Sequence, residues 1–355
     1  MNDNPLPSMQ GPVCPVPLQH NDKIVLGHGS GGKMMNDLIR NIFLPPLDNP
    51  ILRVGDDAGV VTTNGNTYLS ISTDAHVVSP LFFPGGDIGK LAVCGTVNDV
   101  AMMGAKPLYL TASFILEEGL EIETLINIVN SMKEVSDEAG VQLIAGDTKV
   151  VEKGKADGVY ISTTGIGTVY PMVSISGEQA KPGDQIILSG PIGDHGIAVL
   201  GARGELGFTS DIKSDVAPLN HLIETMINTS KEIHVLRDPT RGGVASVLNE
   251  IANQSNVGII IDEETIPVNP SVQAACEMLG FDPLYIANEG KLVTFVSERD
   301  SKKVLEAMHQ TKYGENAVII GRVNQTPKKR VLMNTLIGST RVVDILAGEL
   351  LPRIC

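Results

Sequence analysis

The chain ends in a cysteine, Cys355, which closes the stretch Leu351-Pro352-Arg353-Ile354-Cys355. A thiol on a free chain end has few neighbours to pin it. It can collect a chemical group at one protein, enter a pocket and present the group there. Pro352 fixes one backbone angle and stiffens the approach. The position does not fit a prenylation signal, which needs cysteine four from the end. An end residue also has little to pack against, so the choice lies between a carrier thiol and an incidental one. Free cysteine titrates near pH ~8.5. The terminal carboxylate beside Cys355 raises that value and the Arg353 charge opposes the rise.

Three further sets of residues could build a pocket for that sulfur. The first is the loop Gly27-His28-Gly29-Ser30-Gly31-Gly32-Lys33. It fits both the GxGxxG of dinucleotide sites and the GxxxxGK of phosphate loops. However, Met34 stands where a phosphate loop carries serine or threonine, and no acidic residue stands about twenty positions on in a clear second strand, as a dinucleotide site requires. Its glycines let backbone amides crowd an anion at a helix start; a purely structural turn fits as well. The second set is carboxylates, each beside small residues in a different loop: Asp56-Asp57, Asp74, Asp99 and Asp147. Singly, each reads as a cap or turn residue. Together they suit magnesium, which takes a few hard oxygens and shares its shell with nucleotide phosphates. The third set is Lys90, Lys149, Arg241 before Gly242-Gly243, and Glu289, a candidate general base. His195 reads as structural.

Hydrophobic periodicity supplies the elements that must hold these residues. Lys23–Leu26 reads as a short strand, and residues 33–43 have apolar positions at helical spacing. Residues 60–63, 68–73, 108–116, 141–145 and 160–169 read as strands; 88–101 and 121–139 read as helices, the second ended by Gly140. The composition restarts after the turn Lys181-Pro182-Gly183-Asp184. A strand at 185–189 follows, then helices near 216–229, 243–253, 270–279 and 300–310, and strands near 257–261, 291–297 and 317–323. Strand and helix mix in both halves, predicting an α/β (α+β) chain of two layered domains. The expected division is a flexible Pro-rich tail (1–22), an N-terminal domain (23–172), a C-terminal domain (180–337) and a mobile tail carrying the cysteine (338–355).

Composition narrows the function classes. A net charge of -14, no tryptophan and 4% aromatic residues argue against nucleic acid. Cys14, Cys94, Cys276 and Cys355 form no CxxC pair and no disulfide framework, which suits a cytoplasmic location. No run of about 18 apolar residues predicts a membrane span, and the first twenty residues lack the pattern of a secretory signal.

As a set, these motifs resemble a known family. Gly27 to Gly32, Ser72-Thr73-Asp74, Phe82-Phe83-Pro84-Gly85-Gly86, Asn98-Asp99-Val100, Gly146-Asp147-Thr148-Lys149, Gly193-Asp194-His195-Gly196, Asp238-Pro239-Thr240-Arg241-Gly242-Gly243, Asn288-Glu289-Gly290-Lys291 and the terminal Pro352-Arg353-Ile354-Cys355 are similar to those of the HypE family of hydrogenase maturation proteins, the carbamoyl dehydratases. That family sits within the wider group of aminoimidazole-ribonucleotide-synthetase-like ATP enzymes. The likeness runs from about residue 23 to the end.

The resemblance implies a homodimer closing a shared β-barrel, with ATP near that interface. It implies that a carbamoyltransferase, HypF, loads the terminal sulfur. ATP then drives dehydration to a thiocyanate, and cyanide passes to the HypC–HypD complex for nickel–iron hydrogenase. On this reading Cys355, Glu289 and Lys149 are catalytic, with Lys149 orienting or tuning Glu289. His28, Gly29, Gly31, Gly32, Lys90, Asn98, Arg241 and Gly242 bind the nucleotide, and Asp57, Asp74, Asp99 and Asp147 hold Mg2+. Two rivals are a kinase or synthetase of the same fold, for which Cys355 is dispensable, and a docking scaffold without ATP turnover.

Overall fold

The structure, a computed structural model, describes residues 23–63, 67–204, 211–346, 351 and 353–355. The Pro-rich tail at 1–22 and Pro352 lie outside the described residues. Two sheets carry the architecture. The first joins β1 (Gly59–Thr62), β2 (Tyr68–His76), β5 (Ala105–Glu117), β6 (Gln142–Val151) and β7 (Val159–Val169) in the order β1-β2-β7-β5-β6. Only the β5–β6 pair is parallel. A two-stranded hairpin, β3 (Phe82–Phe83) and β4 (Gly86–Asp87), leads into helix α3 (Ile88–Met102).

Helix α3 is buried on nearly all sides. Asp87 caps it, accepting the amides of Gly89 and Lys90. Helix α4 (Ile122–Ala139) packs its apolar stripe alongside and ends at Gly140, which has a φ of 70°. The opposite face of the sheet shows Ile71, Tyr109 and Ile115 to solvent, and β6 is exposed along almost its whole length.

The second sheet has seven strands: β8 (Gln185–Leu188), β9 (Ile233–Arg237), β10 (Gly258–Asp262), β11 (Val293–Val296), β12 (Val318–Asn324), β13 (Arg330–Asn334) and β14 (Thr340–Val343). Their order is β14-β13-β10-β12-β8-β11-β9. Its strands read as continuous apolar runs because helices cover both faces. Ile186 and Leu188 meet Val244, Leu248 and Ile251 of α7 (Gly243–Gln254). Ile187, one residue between them, meets α6 (Asn220–Thr229) and α9 (Glu298–His309) on the other side. Ala101 and Met102 of α3 belong to that same cluster, so one apolar core spans both halves. Two more helices, α5 (Asp194–Ala202) and α8 (Pro270–Leu279), flank the second sheet.

Four expectations need correction. Lys23–Leu26 is no strand: a 3-10 turn occupies Leu26–Gly29, because the glycines that follow favour a tight turn. The segment after it is three short pieces, α1 (Lys33–Leu38), a π-helical stretch Ile39–Phe43 and α2 (Leu44–Leu47). The stretch read as a connector from 338 contains β14, paired antiparallel with β13. The chain end, expected to be loose, is docked: Ile354 is 3% exposed, because its side chain fits an apolar cluster with Val199, Val216 and Ala287.

Candidate active site

Two motifs far apart in sequence form one wall. Arg241 Nη1 donates to Gly29 O at 3.0 Å. Gly31 has a φ of 76°, and a Cβ there would lie 2.7 Å from Arg241 O; Gly242 has a φ of 79°, and its Cβ would lie 2.1 Å from Ser246 Oγ. Only glycine meets both demands, a left-handed backbone and no side chain. His28 Nδ1 accepts the Val25 amide, and Gly32 caps the start of α1. The crevice between these turns is lined by Ser30, Arg241, Gly242, Tyr285, Leu351 and Ile354, so the chain end closes it. A wider cleft bounded by Pro80, Phe82, Glu118 and Lys153 is lined by none of Asp57, Asp74, Asp99, Asp238 and Glu289.

A set of carboxylates lies within the charge range of Arg241, Asp74 and Asp99 among them. Asp74 comes from β2, Asp99 from the buried α3, Asp57 from the loop before β1 and Asp238 from the turn after β9. Ser72 Oγ sits 2.6 Å from Asp99 Oδ2. Burial and the charges of Asp238, Asp74 and Asp57 hold the Asp99 carboxyl well above the usual range. Burial and the Asp57 charge do the same to Asp238. Like charges crowded away from water favour a proton or a cation.

Glu289 is 5% exposed and belongs to the same field. Burial first, then Asp238, Asp74 and Asp215, push its carboxyl well up, while Arg241 opposes. Its backbone is fixed by Asp215, whose Oδ1 accepts the Glu289 amide at 3.1 Å and whose Oδ2 faces Lys291 Nζ at 3.2 Å. Neighbouring Asn288 accepts the Gly193 amide and donates to Pro239 O and Ile286 O, tying three loops together. Glu289 Oε1 is buried and has no hydrogen-bond partner.

Cys355 lies within this field. Burial pushes its thiol up, Arg241 opposes, and Glu289, Asp74 and Asp238 add to the rise. Its terminal oxygen accepts the Val77 amide at 2.9 Å, one residue past His76 of β2.

Not every predicted residue gathers here. Asp147 and Lys149 lie on the exposed strand β6 and bond to each other, Nζ to Oδ2 at 2.6 Å. That contact, with the Thr148 amide, holds the Asp147 carboxyl below its ordinary value. Lys90 donates to Gly85 O. Asn98 gives Nδ2 to Ala217 O and takes the Leu219 amide on Oδ1, so it bridges the two halves.

Sequence reasoning passed over Asp238, Asp215 and Arg237. Asp238 opens a motif already singled out for Arg241. Arg237 is signalled by a charge closing the buried strand Ile233-His234-Val235-Leu236. Its guanidinium meets Asp57 Oδ1 at 2.5 Å and Asp56 Oδ1 at 3.1 Å. Asp57 is left with Oδ2 buried and unbonded. Burial raises the Asp57 carboxyl, and the Arg237 charge acts against it. Arg237→Leu is expected to cost about 3–5 kcal/mol, since it strands two buried carboxylates. Urea unfolding measures this, and Asp57→Asn in the same chain should return part of the loss.

The unbonded Asp57 Oδ2 and the crowded Asp74 and Asp99 fit a divalent cation. Among the described residues no group of three or more His, Cys, Asp or Glu forms a ready metal cage. Magnesium is bound by one or two carboxylates, with phosphate and water completing its shell.

Two mixed layered domains that share an apolar core and carry a set of mutually interacting buried carboxylates define an AIR synthase-related protein. The chain matches the N-terminal domain of that family over residues 55–169 and its C-terminal domain over 181–334. It is 53% identical over 333 residues to the carbamoyl dehydratase HypE of Cupriavidus necator H16, covering 94% of this chain and 95% of that one. The HypE of Escherichia coli K12 is 43% identical over 339 residues, 94% of this chain and all of that protein. A crystal structure of a HypE–HypF complex superposes with a TM-score of 0.83 at 53% identity, covering 87% of this chain and 99% of that one. A HypE structure in complex with ATP gives 0.79 at 46%, covering 94% and 100%. The chain belongs to the HypE carbamoyl dehydratase family.

Proposed function

We propose that the chain dehydrates a carbamoyl group carried on its own Cys355, using ATP, and so supplies a cyanide ligand for the iron of nickel–iron hydrogenase. The observation that carries this is the docked chain end, with its sulfur in the field of Arg241, Glu289, Asp74 and Asp238. A relative has been crystallised with ATP, and the glycine turns beside Arg241 offer backbone amides and a cation to phosphate.

The amide oxygen of a thiocarbamate is a poor leaving group. Transfer of the γ-phosphoryl to that oxygen releases ADP and one nitrogen proton, and leaves a C=N bond. Breaking the C–O bond then expels phosphate, and loss of the second nitrogen proton completes the C≡N of a thiocyanate on Cys355. Glu289 is placed to accept a proton, its Oε1 being free of other partners. Arg241 balances the charge gathered at the crevice. Mg2+ would be held by one or two of Asp57, Asp74 and Asp99 and would supply charge neutralisation to the nucleotide phosphates.

Asp147 and Lys149 enter this scheme through a homodimer. Strand β6 is an exposed edge bearing Leu143, Ile144 and Val150, and such an edge invites pairing. A second copy meeting it would bring Asp147 and Lys149 into an interface, where Lys149 can orient or tune Glu289. HypF, crystallised with a relative, is the proposed donor of the carbamoyl group, and the HypC–HypD complex the acceptor of cyanide. The free thiols Cys94, Cys276 and Cys355 agree with work in the cytoplasm.

Intact-mass measurement tests the scheme. After incubation with HypF, its substrates and ATP, the C-terminal peptide should gain one carbamoyl group and then lose one water. An unmodified C-terminal peptide in a chain that still hydrolyses ATP would instead favour an enzyme acting on a free small molecule.

A further inference from the structure

The chain end is gripped almost wholly through its backbone oxygens. Val77 N donates to the Cys355 oxygen at 2.9 Å and Ser79 N to Arg353 O at 3.4 Å. Arg203 Nη2 donates to the same Arg353 O at 2.7 Å, while its Nε donates to Ser79 O at 2.8 Å, bridging the tail and the loop that follows β2. His195 Nε2 lies 2.7 Å from Ile354 O. Arg353 adds a side-chain pair with Asp157.

His195 is fully buried, edge-on to Phe83 with ring centroids 5.5 Å apart. Its Nδ1 is 2.8 Å from Ser214 Oγ, which also accepts the Val216 amide. Ile354 O can only accept, so the proton of the neutral imidazole sits on Nε2, and Nδ1 accepts the Ser214 hydroxyl proton. Helix α5 holds His195 in its first turn, and Arg203 follows its last residue. One helix thus reaches two successive carbonyls of the tail from its two ends.

We propose that His195 and Arg203 form a latch that docks the chain end by reading its backbone carbonyls, so that the balance between docked and released tail is set by α5 and not by the sulfur. Each of these contacts goes to a backbone oxygen, and the anchoring side chain is that of Ile354. The latch therefore tolerates change at the Cys355 side chain. His195 and Arg203 are positioning residues; they touch the tail and not the reacting atoms.

The test uses the full chain without nucleotide or partner. Cys355 is labelled with a maleimide, and the rate is read by mass on the C-terminal peptide, with the buried Cys94 and Cys276 as internal references. His195→Leu and Arg203→Met are each expected to speed labelling of Cys355 about tenfold, because the first leaves the Ile354 carbonyl without its donor and the second leaves the Arg353 carbonyl only the long bond from Ser79 N. Labelling at Cys94 and Cys276 stays as it was. His195→Gln, whose amide can donate to Ile354 O, restores part of the protection. Hydrogen exchange at the Val77 and Ser79 amides should stay slow in Cys355→Ser and become fast in His195→Leu. Unchanged Cys355 labelling in both latch variants overturns the proposal, as does a rise shared equally by all three thiols. Arg203 is only half-buried, so Arg203→Met keeps the test decisive where His195→Leu fails to fold. No carbamoyl chemistry enters the measurement, so its outcome is independent of the dehydratase reading.

Discussion

A chain carrying Cys355→Ser is expected to bind ATP as tightly as the unaltered protein and to form no thiocyanate. The sulfur is the atom that holds the carbamoyl group, so its loss removes the substrate and not the pocket. Serine preserves size, and the contacts that dock the tail run to backbone oxygens, so the variant should still seat its end beside Glu289. A hydroxyl is not ionised near neutral pH and makes a poor acceptor for a carbamoyl group. The docked thiol is itself a weak nucleophile, since burial and the nearby carboxylates push its pKa up and only the thiolate attacks well. Loading therefore belongs to the released tail and dehydration to the docked one. Calorimetry with ATP and mass analysis of the C-terminal peptide check both halves of the expectation. Thiocyanate formed on the serine chain, or ATP affinity lost with the sulfur, would falsify the carrier role of Cys355.

Much of this site was legible because its chemistry sits in short, unusual strings. The glycines at 27, 29, 31 and 32 and at 242 and 243 announced tight turns, and the structure packs the two groups against each other. Asp74 and Asp99, read as loop carboxylates, stand instead inside β2 and α3, and the Asp74 charge acts on both Asp99 and Glu289. The amphipathic α4 with Gly140 after it was readable from spacing alone. What escaped was set by contacts between distant residues. Strand β14 is four residues long and gains its register from β13, so no periodicity marks it. The docked tail depends on carbonyls meeting His195 and Arg203 across more than a hundred residues of sequence, and a carbonyl has no signature in a sequence. Asp215 was passed over because its work is to hold a backbone amide. Lys149 and Asp147 were read into the pocket from motif order, whereas in the single chain they bond to each other on an exposed strand; what a second copy adds there is a matter of assembly, which one chain's periodicity does not encode.

Glu289→Gln separates the two chemical steps and does so with a stability signature that a spectator residue would lack. Glutamine keeps the shape of the side chain but cannot take a proton from nitrogen. Phosphorylation of the carbamoyl oxygen should proceed, and the following loss of phosphate should slow by about a hundredfold or more, the usual contribution of a positioned base. The phosphorylated thiocarbamate then accumulates and is visible in the intact mass; a dehydration rate equal to that of the unaltered chain removes Glu289 from the mechanism. The stability change follows from linkage. The folded carboxyl of Glu289 is held well above its ordinary value by burial and by Asp238, Asp74 and Asp215, so over the interval between the two values the native state binds more protons than the unfolded one. Stability from this group is complete below the unfolded pKa and is lost as pH rises through the folded value. Glutamine stays neutral throughout and escapes that loss. In thermal melts without nucleotide, the advantage of the glutamine chain should therefore be smallest in acidic buffer near the unfolded carboxyl value and grow as the pH is raised from there. The activity deficit and the stability gain share one origin, a carboxyl whose proton is favoured by burial and by the surrounding carboxylates. A melting difference that stays constant with pH would mean that the Glu289 carboxyl titrates alike in the folded and unfolded chain, and would overturn the raised, buried acid on which the role of Glu289 as base rests.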